Sequence, residues 1–149
     1  IKGNHYIVSP FKYYFMDLGL RNARINFRQN ERTHLMENLV YNELRARSFN
    51  VDVGSVSSVG TNSEGKRLRS TLEVDFVCNL GSRRYYIQST YRMPSEEKLE
   101  QERASLLRIG DAFKKIIVTG EEGPITRDEH GITTISIYDF LLKENSLEL

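Results

Sequence analysis

A single cysteine, Cys78, stands in this chain of 149 residues. An internal disulfide framework is therefore excluded, and the cysteine usage fits a reducing cytoplasm. No apolar run approaches the roughly 18–20 residues that a membrane-spanning helix needs, and no secretory pattern opens the chain. Neither sign of charge dominates, with 21 Lys and Arg against 20 Asp and Glu. Whole-chain charge thus gives no argument for nucleic acid or membrane, and any such binding needs a local patch. Repeats, low-complexity tracts and Pro/Gly linkers are also missing. What remains, 39% hydrophobic and 28% charged, is the composition of a folded domain long enough to bury a core. We read residues 1–149 as one domain, with 1–32 as an extension leading into it. The chain opens at Ile1 in strand-like sequence, and the expectation is a fragment of a longer polypeptide.

Periodicity places the elements. Residues 6–16 are aromatic and β-prone and predict one or two short extended pieces, after which Asp17 stands as a helix N-cap. A helix is expected over about 33–48, with Thr33 as its cap and Leu35, Met36, Leu39, Val40 and Leu44 as its apolar face. FNVDVGSV alternates as a strand, followed by a turn-rich stretch. RLRSTLEVDFVCNL alternates strongly, with Leu72, Val74, Phe76 and Cys78 on one face and Glu73, Asp75 and Val77 on the other. Gly81-Ser82 marks a hairpin into RRYYIQSTYR. Pro94-Ser95-Glu96-Glu97 starts a second helix, with Leu99, Ala104, Leu106, Leu107 and Ile109 inward and Gly110 at its end. KKIIVTG is a buried strand, the charged loop holding Gly123-Pro124 follows, GITTISI is a further strand, and YDFLLKEN is a final helix. The central order α-β-β-β-α-β predicts an α/β fold, a mixed central sheet with helices on its faces.

Three constellations bear on chemistry. Residues 60–67, GTNSEGKR, match a phosphate-binding loop except that Arg67 replaces the magnesium-binding hydroxyl. The following residues alternate as a strand, whereas such a loop must open a helix, so a hairpin turn is expected here. Asp75 lies on a central strand, and Gln88 and Thr90 share a face of the next one. Polar groups in buried strands need partners, and Asp75 has two readings: an ion pair with an arginine such as Arg69 or Arg84, or a functional carboxylate. On the long helix Glu43 falls within the apolar stripe and Glu37 at its edge. For Glu43 the alternatives are a structural partner or function, and for Glu37 solvation or function.

The motifs YYFMDLGLRNA, MENLVYNEL, EVDFVCNL and YYIQSTYR, in this order over about Lys12 to Leu142, resemble the domain of unknown function that follows an AAA-type ATP-binding domain in many bacterial and archaeal predicted ATPases. The helix Glu, strand Asp and spaced pair on the next strand resemble the PD-(D/E)XK nuclease superfamily, with its restriction-endonuclease-like αβββαβ core. In that superfamily a helix Glu, a strand Asp and a further acidic residue hold a divalent metal, and a Lys two residues on positions the attacking water. Hard carboxylate oxygens hold magnesium, which makes hydroxide available near neutral pH. By this resemblance Glu37 matches the helix Glu, partly through Leu44 and Phe49, with Glu43 as the alternative. Asp75 matches the strand Asp.

The third strand departs from the pattern. Gln88 stands for the acidic residue and Thr90 for the Lys. Losing one preorganised charge-stabilising donor costs about 10²–10³ in rate, and here two functions go together. Arg92, Lys66 and Arg67 are the candidates for rescue. The resemblance therefore implies a non-catalytic or weakly active accessory domain of an ATP-binding parent chain. It implies no cofactor of its own, magnesium or manganese only if the site works, and ATP only in the upstream domain. A rearranged metal-dependent nuclease is the competing reading. Nucleic-acid binding without cleavage is a third, through Arg45, Arg47, Lys66, Arg67, Arg69, Arg83 and Arg84 with Tyr85 and Tyr86 for stacking. A protein-interaction module using residues 6–16 is the fourth. The expected partners are the upstream ATPase domain, DNA or RNA, and a second copy of the chain.

Overall fold

The computed structural model describes residues 11–27, 31–61, 67–92 and 103–149, the side chains at 58–61 and 67–70 excepted. Its elements run α1 (Leu18–Arg24), α2 (Arg32–Ala46), β1 (Asn50–Thr61), β2 (Arg67–Leu80), β3 (Arg83–Thr90), α3 (helical over 103–107), β4 (Lys114–Thr119), β5 (Thr126–Arg127), β6 (Ile132–Ser136) and α4 (Ile137–Leu142). The strands form one six-stranded mixed sheet in the order β1-β2-β3-β4-β6-β5. The pairs β1–β2, β2–β3 and β5–β6 are antiparallel, and β3–β4 and β4–β6 are parallel. The α/β reading and the central element order therefore hold. The two-residue β5, inside the charged loop, was too short to leave a periodic signal.

The sheet buries both faces, which is why its central strands carry apolar residues on both sides. One face carries α2 and α4: Met36, Val40 and Leu44 of α2 and Phe140 of α4 pack with Phe76, Cys78, Ile87, Ile116, Val118 and Ile135. The other carries α3, whose Leu106 packs with Val74, Tyr86, Ile117 and Ile132. Val40 and Leu44 are completely buried, and each such side chain stabilises the fold by about 1.5–3 kcal/mol. Leu107, expected inward, is 45% exposed. It lies one residue past Leu106, and successive helix positions are about 100° apart.

Local chemistry sets the junctions. Asp17 caps α1 as expected, its carboxylate accepting from the Leu20 N–H at 2.9 Å. Thr33 does not cap α2; the helix begins two residues earlier, on Glu31, without a side-chain cap. Residues 11–16 form no strand. The β2–β3 hairpin closes through Gly81 and Ser82, and Gly81 has φ +60°, as a tight two-residue turn with glycine first requires. Ser136 ends β6 and caps α4, accepting from the Asp139 N–H at 3.0 Å. The final helix therefore starts one residue before the expected position. Gly60 and Thr61 pair with Leu68 and Arg67 in a β1–β2 ladder, so the phosphate-loop pattern lies between two antiparallel strands and a strand, not a helix, begins at its last residue; positions 62–66 lie outside the described residues. The helix start expected at Pro94–Glu97, with Leu99, lies outside the described residues.

Candidate functional site

The alternation of β2 breaks at Asp75. Asp52 pairs with Val77 and Gly54 with Val74, so Asp75 and Phe76 together stand opposite Val53, a β-bulge. A bulge re-aims the side chains on one side of it. Val74 and Val77 thus share the α3 face, whereas Phe76 and Cys78 share the α2 face. Strict alternation had put Val74 with Phe76 and Cys78, and the extra residue overturns that.

Asp75 is buried and its carboxylate belongs to the α2 side. Ser89 donates to it twice, from its backbone N–H at 2.8 Å and its hydroxyl at 3.1 Å. Gln88 meets a different part of the same residue: its side-chain carbonyl accepts from the Asp75 backbone N–H at 3.2 Å. Gln88 alternates with Tyr86 of the α3 face, and Ser89 with Ile87 of the α2 face. The bulge thus brings Gln88 to the backbone of residue 75, not to its carboxylate. Thr90 shares the parity of Gln88 and donates its hydroxyl to the Arg92 carbonyl at 2.9 Å.

Above Asp75 lies a cation supplied by the chain. The Lys12 ammonium is 2.9 Å from Glu37 Oε1 and 3.8 Å from Asp75 Oδ1, and it also contacts Glu73. Glu37 is the more deeply placed of the helix carboxylates, its side chain 12% exposed, and it also accepts from the Tyr14 hydroxyl at 2.7 Å. Of the two helix carboxylates, Glu37 therefore approaches Asp75. Glu43, more exposed, pairs with Arg47 one turn along the helix at 2.7 Å. The ion pair of Asp75 is with Lys12, while Arg84 bonds to Asn79 and the Arg69 side chain lies outside the described ones.

Residues 11–16 are fastened over this cluster. Tyr14 stacks on Tyr41 with ring centroids 4.2 Å apart. Asn38, buried on α2, both accepts from the Phe15 N–H at 2.8 Å and donates to the Phe15 carbonyl at 2.7 Å. Asn42, one turn on, donates to the same carbonyl at 2.9 Å. Lys12, Ser89 and Asn38 were not singled out from the sequence. The available signal was the pair Asn38 and Asn42 at helical spacing inside an apolar run, together with Lys12 alternating between aromatic residues.

The electrostatics follow from this packing. Burial, with a contribution from Glu37, pushes the Asp75 carboxyl up to about 6, although Ser89 and Lys12 work against it. Burial alone would lower the Lys12 ammonium; its hydrogen bonds to Glu73 and Glu37 outweigh that and hold it above the ordinary lysine range. The Tyr14 hydroxyl is pushed up by burial and by its bond to Glu37. The donor set does not suit a divalent ion. An ammonium bridges the two best-placed carboxylates, the third strand offers an amide and hydroxyls, and among the described residues no group of three acidic, His or Cys side chains is arranged to hold a metal.

The described arginines of the expected basic surface are engaged within the fold. Arg47 is used internally, donating to Glu43, to the Phe140 carbonyl at 2.5 Å and to the Ser146 hydroxyl at 2.7 Å. Arg83 lies over the Phe49 ring and Arg84 over Phe113. Arg45 donates to the Phe49 carbonyl at 2.8 Å. Lys66 lies outside the described residues, and so do the side chains of Arg67 and Arg69. Tyr85 and Tyr86 cannot stack on bases: they are buried, and their hydroxyls bond to Glu148 and Asp111.

No protein-family profile matches the chain. It is similar to an uncharacterized protein from Haemophilus influenzae, 31% identical over 143 residues, which are 96% of this chain and 32% of that protein. The chain spans about a third of the length of the curated relative it matches.

Proposed function

We propose that this chain is a non-catalytic, restriction-endonuclease-like accessory domain of a longer, ATP-binding bacterial polypeptide, and that it works by binding protein. The observation that carries the reading is Lys12. Its ammonium sits between Glu37 and Asp75, where the resemblance would put a metal ion. A charge fixed to the backbone neutralises the carboxylates without polarising a phosphodiester or activating water. The αβββαβ order with a helix carboxylate next to a strand Asp supports descent from the nuclease core. The threefold greater length of the relative supports a place within a larger protein. Protein is favoured over nucleic acid because Phe11, Tyr13, Met16, Leu20 and Phe27 are exposed within one stretch, whereas the described arginines are largely engaged with rings, carbonyls and carboxylates.

Calorimetric titration with Mg²⁺ and Mn²⁺ to about 10 mM, beside a cleavage assay on single- and double-stranded DNA and on RNA, tests the reading. The expected result is neither metal binding nor product. Metal-dependent cleavage abolished by Asp75→Ala would replace it with the competing metal-dependent phosphodiesterase.

A further inference from the structure

The two edges of the sheet are built differently. One is β5, two residues long, both exposed. The other is β1, twelve residues long, and among the described residues no strand pairs with its outer side. A long edge presents a row of N–H and C=O groups to any other extended chain, and proteins commonly blunt such edges with Lys, Pro or bulges. The sequence of β1, NVDVGSVSSVGT, contains no Lys, Arg or Pro and a single charge, Asp52. The bulge that could have twisted this edge is on β2, one strand inward. Val53 is 47% exposed, an apolar side chain on the outermost of the described strands.

The same sequence is self-complementary. An antiparallel pairing with a two-fold axis at Val56 sets Val56 opposite Val56, Ser55 opposite Ser57, Gly54 opposite Ser58 and Val53 opposite Val59. Matched β-branched and hydroxyl pairs are the ones that stabilise antiparallel ladders. The axis also sets each Asp52 opposite Gly60, with the two carboxylates about 27 Å apart along the ladder at about 3.4 Å per residue, well beyond the screening length of about 8 Å at physiological salt. Shifting the axis to Asp52 would bring those carboxylates face to face.

We propose that β1 is a self-association edge, pairing antiparallel with β1 of a second copy of this chain to make one continuous twelve-stranded sheet. Isologous contacts of this kind close after two subunits. Strand addition without further contacts makes a small interface of the weak, transient class, so we expect a dissociation constant on the order of 10 µM, which corresponds to about −7 kcal/mol.

Sedimentation velocity from about 5 to 500 µM is the measurement, with the populated species spanning that dissociation constant. The chain is expected to shift from monomer to dimer across the series. The variant Ser55→Lys/Ser57→Lys sets like charges opposite each other across the axis and should weaken the dimer by at least about tenfold, with an unchanged far-UV circular dichroism spectrum. Mixing it with Ser55→Glu/Ser57→Glu should restore dimer at concentrations where each variant alone is largely monomeric, which separates edge pairing from damage to the fold. A chain that stays monomeric at the highest concentration overturns the proposal. So does a dimer indifferent to both variants, or an equimolar mixture that remains monomeric.

Discussion

Ser89 holds the Asp75 carboxylate, donating to one oxygen from its backbone N–H at 2.8 Å and its hydroxyl at 3.1 Å. The residue that meets the Asp75 carboxylate from the third strand is thus the one between Gln88 and Thr90, while Gln88 meets only its backbone N–H. The Ser89 hydroxyl donates to one carboxylate oxygen, and the Lys12 ammonium lies 3.8 Å from the other. The bulge at Asp75 and Phe76 explains this choice: one extra residue changes which side of the sheet the carboxylate joins, while the alternation of β3 continues undisturbed.

Restoring the third-strand charges at the positions that the motif names should accordingly fail. Gln88→Glu/Thr90→Lys supplies the missing acidic residue and cation, but on the parity of Tyr86, away from the Asp75 carboxylate. We expect no gain of metal-dependent DNA cleavage over the unmodified chain in a plasmid-nicking assay. A gain would mean that residues 75, 88 and 90 share one pocket.

Asp75 should also leave a mark on the pH dependence of folding. Its folded pKa, about 6, lies above the ordinary value of 3.8. Between those values the folded state binds more protons than the unfolded state, so stability falls as pH rises through the window and is greatest below it. The two-unit difference corresponds to about 3 kcal/mol at most. Urea unfolding from pH 4 to 7 should show the unmodified chain losing stability relative to Asp75→Asn, with most of the loss complete by pH 6.5. Parallel profiles for the two proteins would remove the buried, ionisable Asp75 from the account.

Lys12 is expected to matter for stability although it stands on a segment without regular structure. Lys12→Met keeps most of the stem and deletes the charge, leaving Glu37, Glu73 and Asp75 to repel one another. The pair is partly buried, the Lys12 side chain being 30% exposed. The cost should lie at about 1–2 kcal/mol, between surface and buried ion pairs. The Asp75 carboxyl should titrate higher still in the variant, read by carbonyl-carbon NMR. An unchanged Asp75 titration would show that the ammonium is not its neighbour in solution.

How much of this could be read beforehand depends on the range of the interactions. Helix α2 and strand β2 declared themselves by the recurrence of their apolar residues, and β3, β4 and β6 as short β-prone runs between turn residues; Val40, Leu44, Ile87 and Ile116 are completely buried. The hairpin at Gly81 and the cap at Asp17 were equally legible, each resting on a residue with one local conformational preference. The candidate site was legible only in part. Asp75 and Glu37 stood out as polar residues beside apolar runs, but their neighbours came from 63 and 25 positions away, for Lys12 measured to Asp75 and to Glu37. No periodicity encodes such pairings. The bulge was hidden for a related reason, since a strand carrying one extra residue reads as a perfect alternation until its partner strand is known. The stacking role expected of Tyr85 and Tyr86 failed similarly: β3 turned out to be covered on both faces, so neither alternation face reaches solvent.

Arg47 joins two elements distant in sequence. Besides pairing with Glu43, its guanidinium donates to the Phe140 carbonyl and the Ser146 hydroxyl and lies 5.0 Å from the Phe140 ring. Arg47→Ala should cost about 2–4 kcal/mol, because the helix-end carbonyl and the serine lose charge-assisted partners in a mostly buried setting. Arg47→Lys should recover only part of it, since an ammonium cannot reproduce the planar fork. An Arg47→Lys protein as stable in urea as the unmodified chain would assign the effect to the aliphatic stem and the charge, not to the planar fork.

The end of the parallel pair β3–β4 depends on a glycine for want of space. The Gly120 N–H donates to the Thr90 carbonyl at 2.9 Å, and a methyl group at Gly120 would stand 2.4 Å from the Tyr91 carbonyl oxygen and 3.0 Å from its ring. The obstacle is backbone, so relief requires the two strand ends to part, and Tyr91 to leave its place against the α2-side core. Gly120→Ala should therefore destabilise the fold by about 1–3 kcal/mol, the usual range for overpacking, in spite of alanine's lower unfolded-state entropy, which alone would stabilise by up to about 1 kcal/mol. In a domain of this size the melting temperature should fall by about 3–10 °C. Gly123→Ala is the matched control, because a methyl group there meets nothing within 4 Å. A Gly120→Ala protein as stable as the Gly123→Ala one would show that the Tyr91 carbonyl can yield, and that the close approach of the strand ends is not fixed by the sheet.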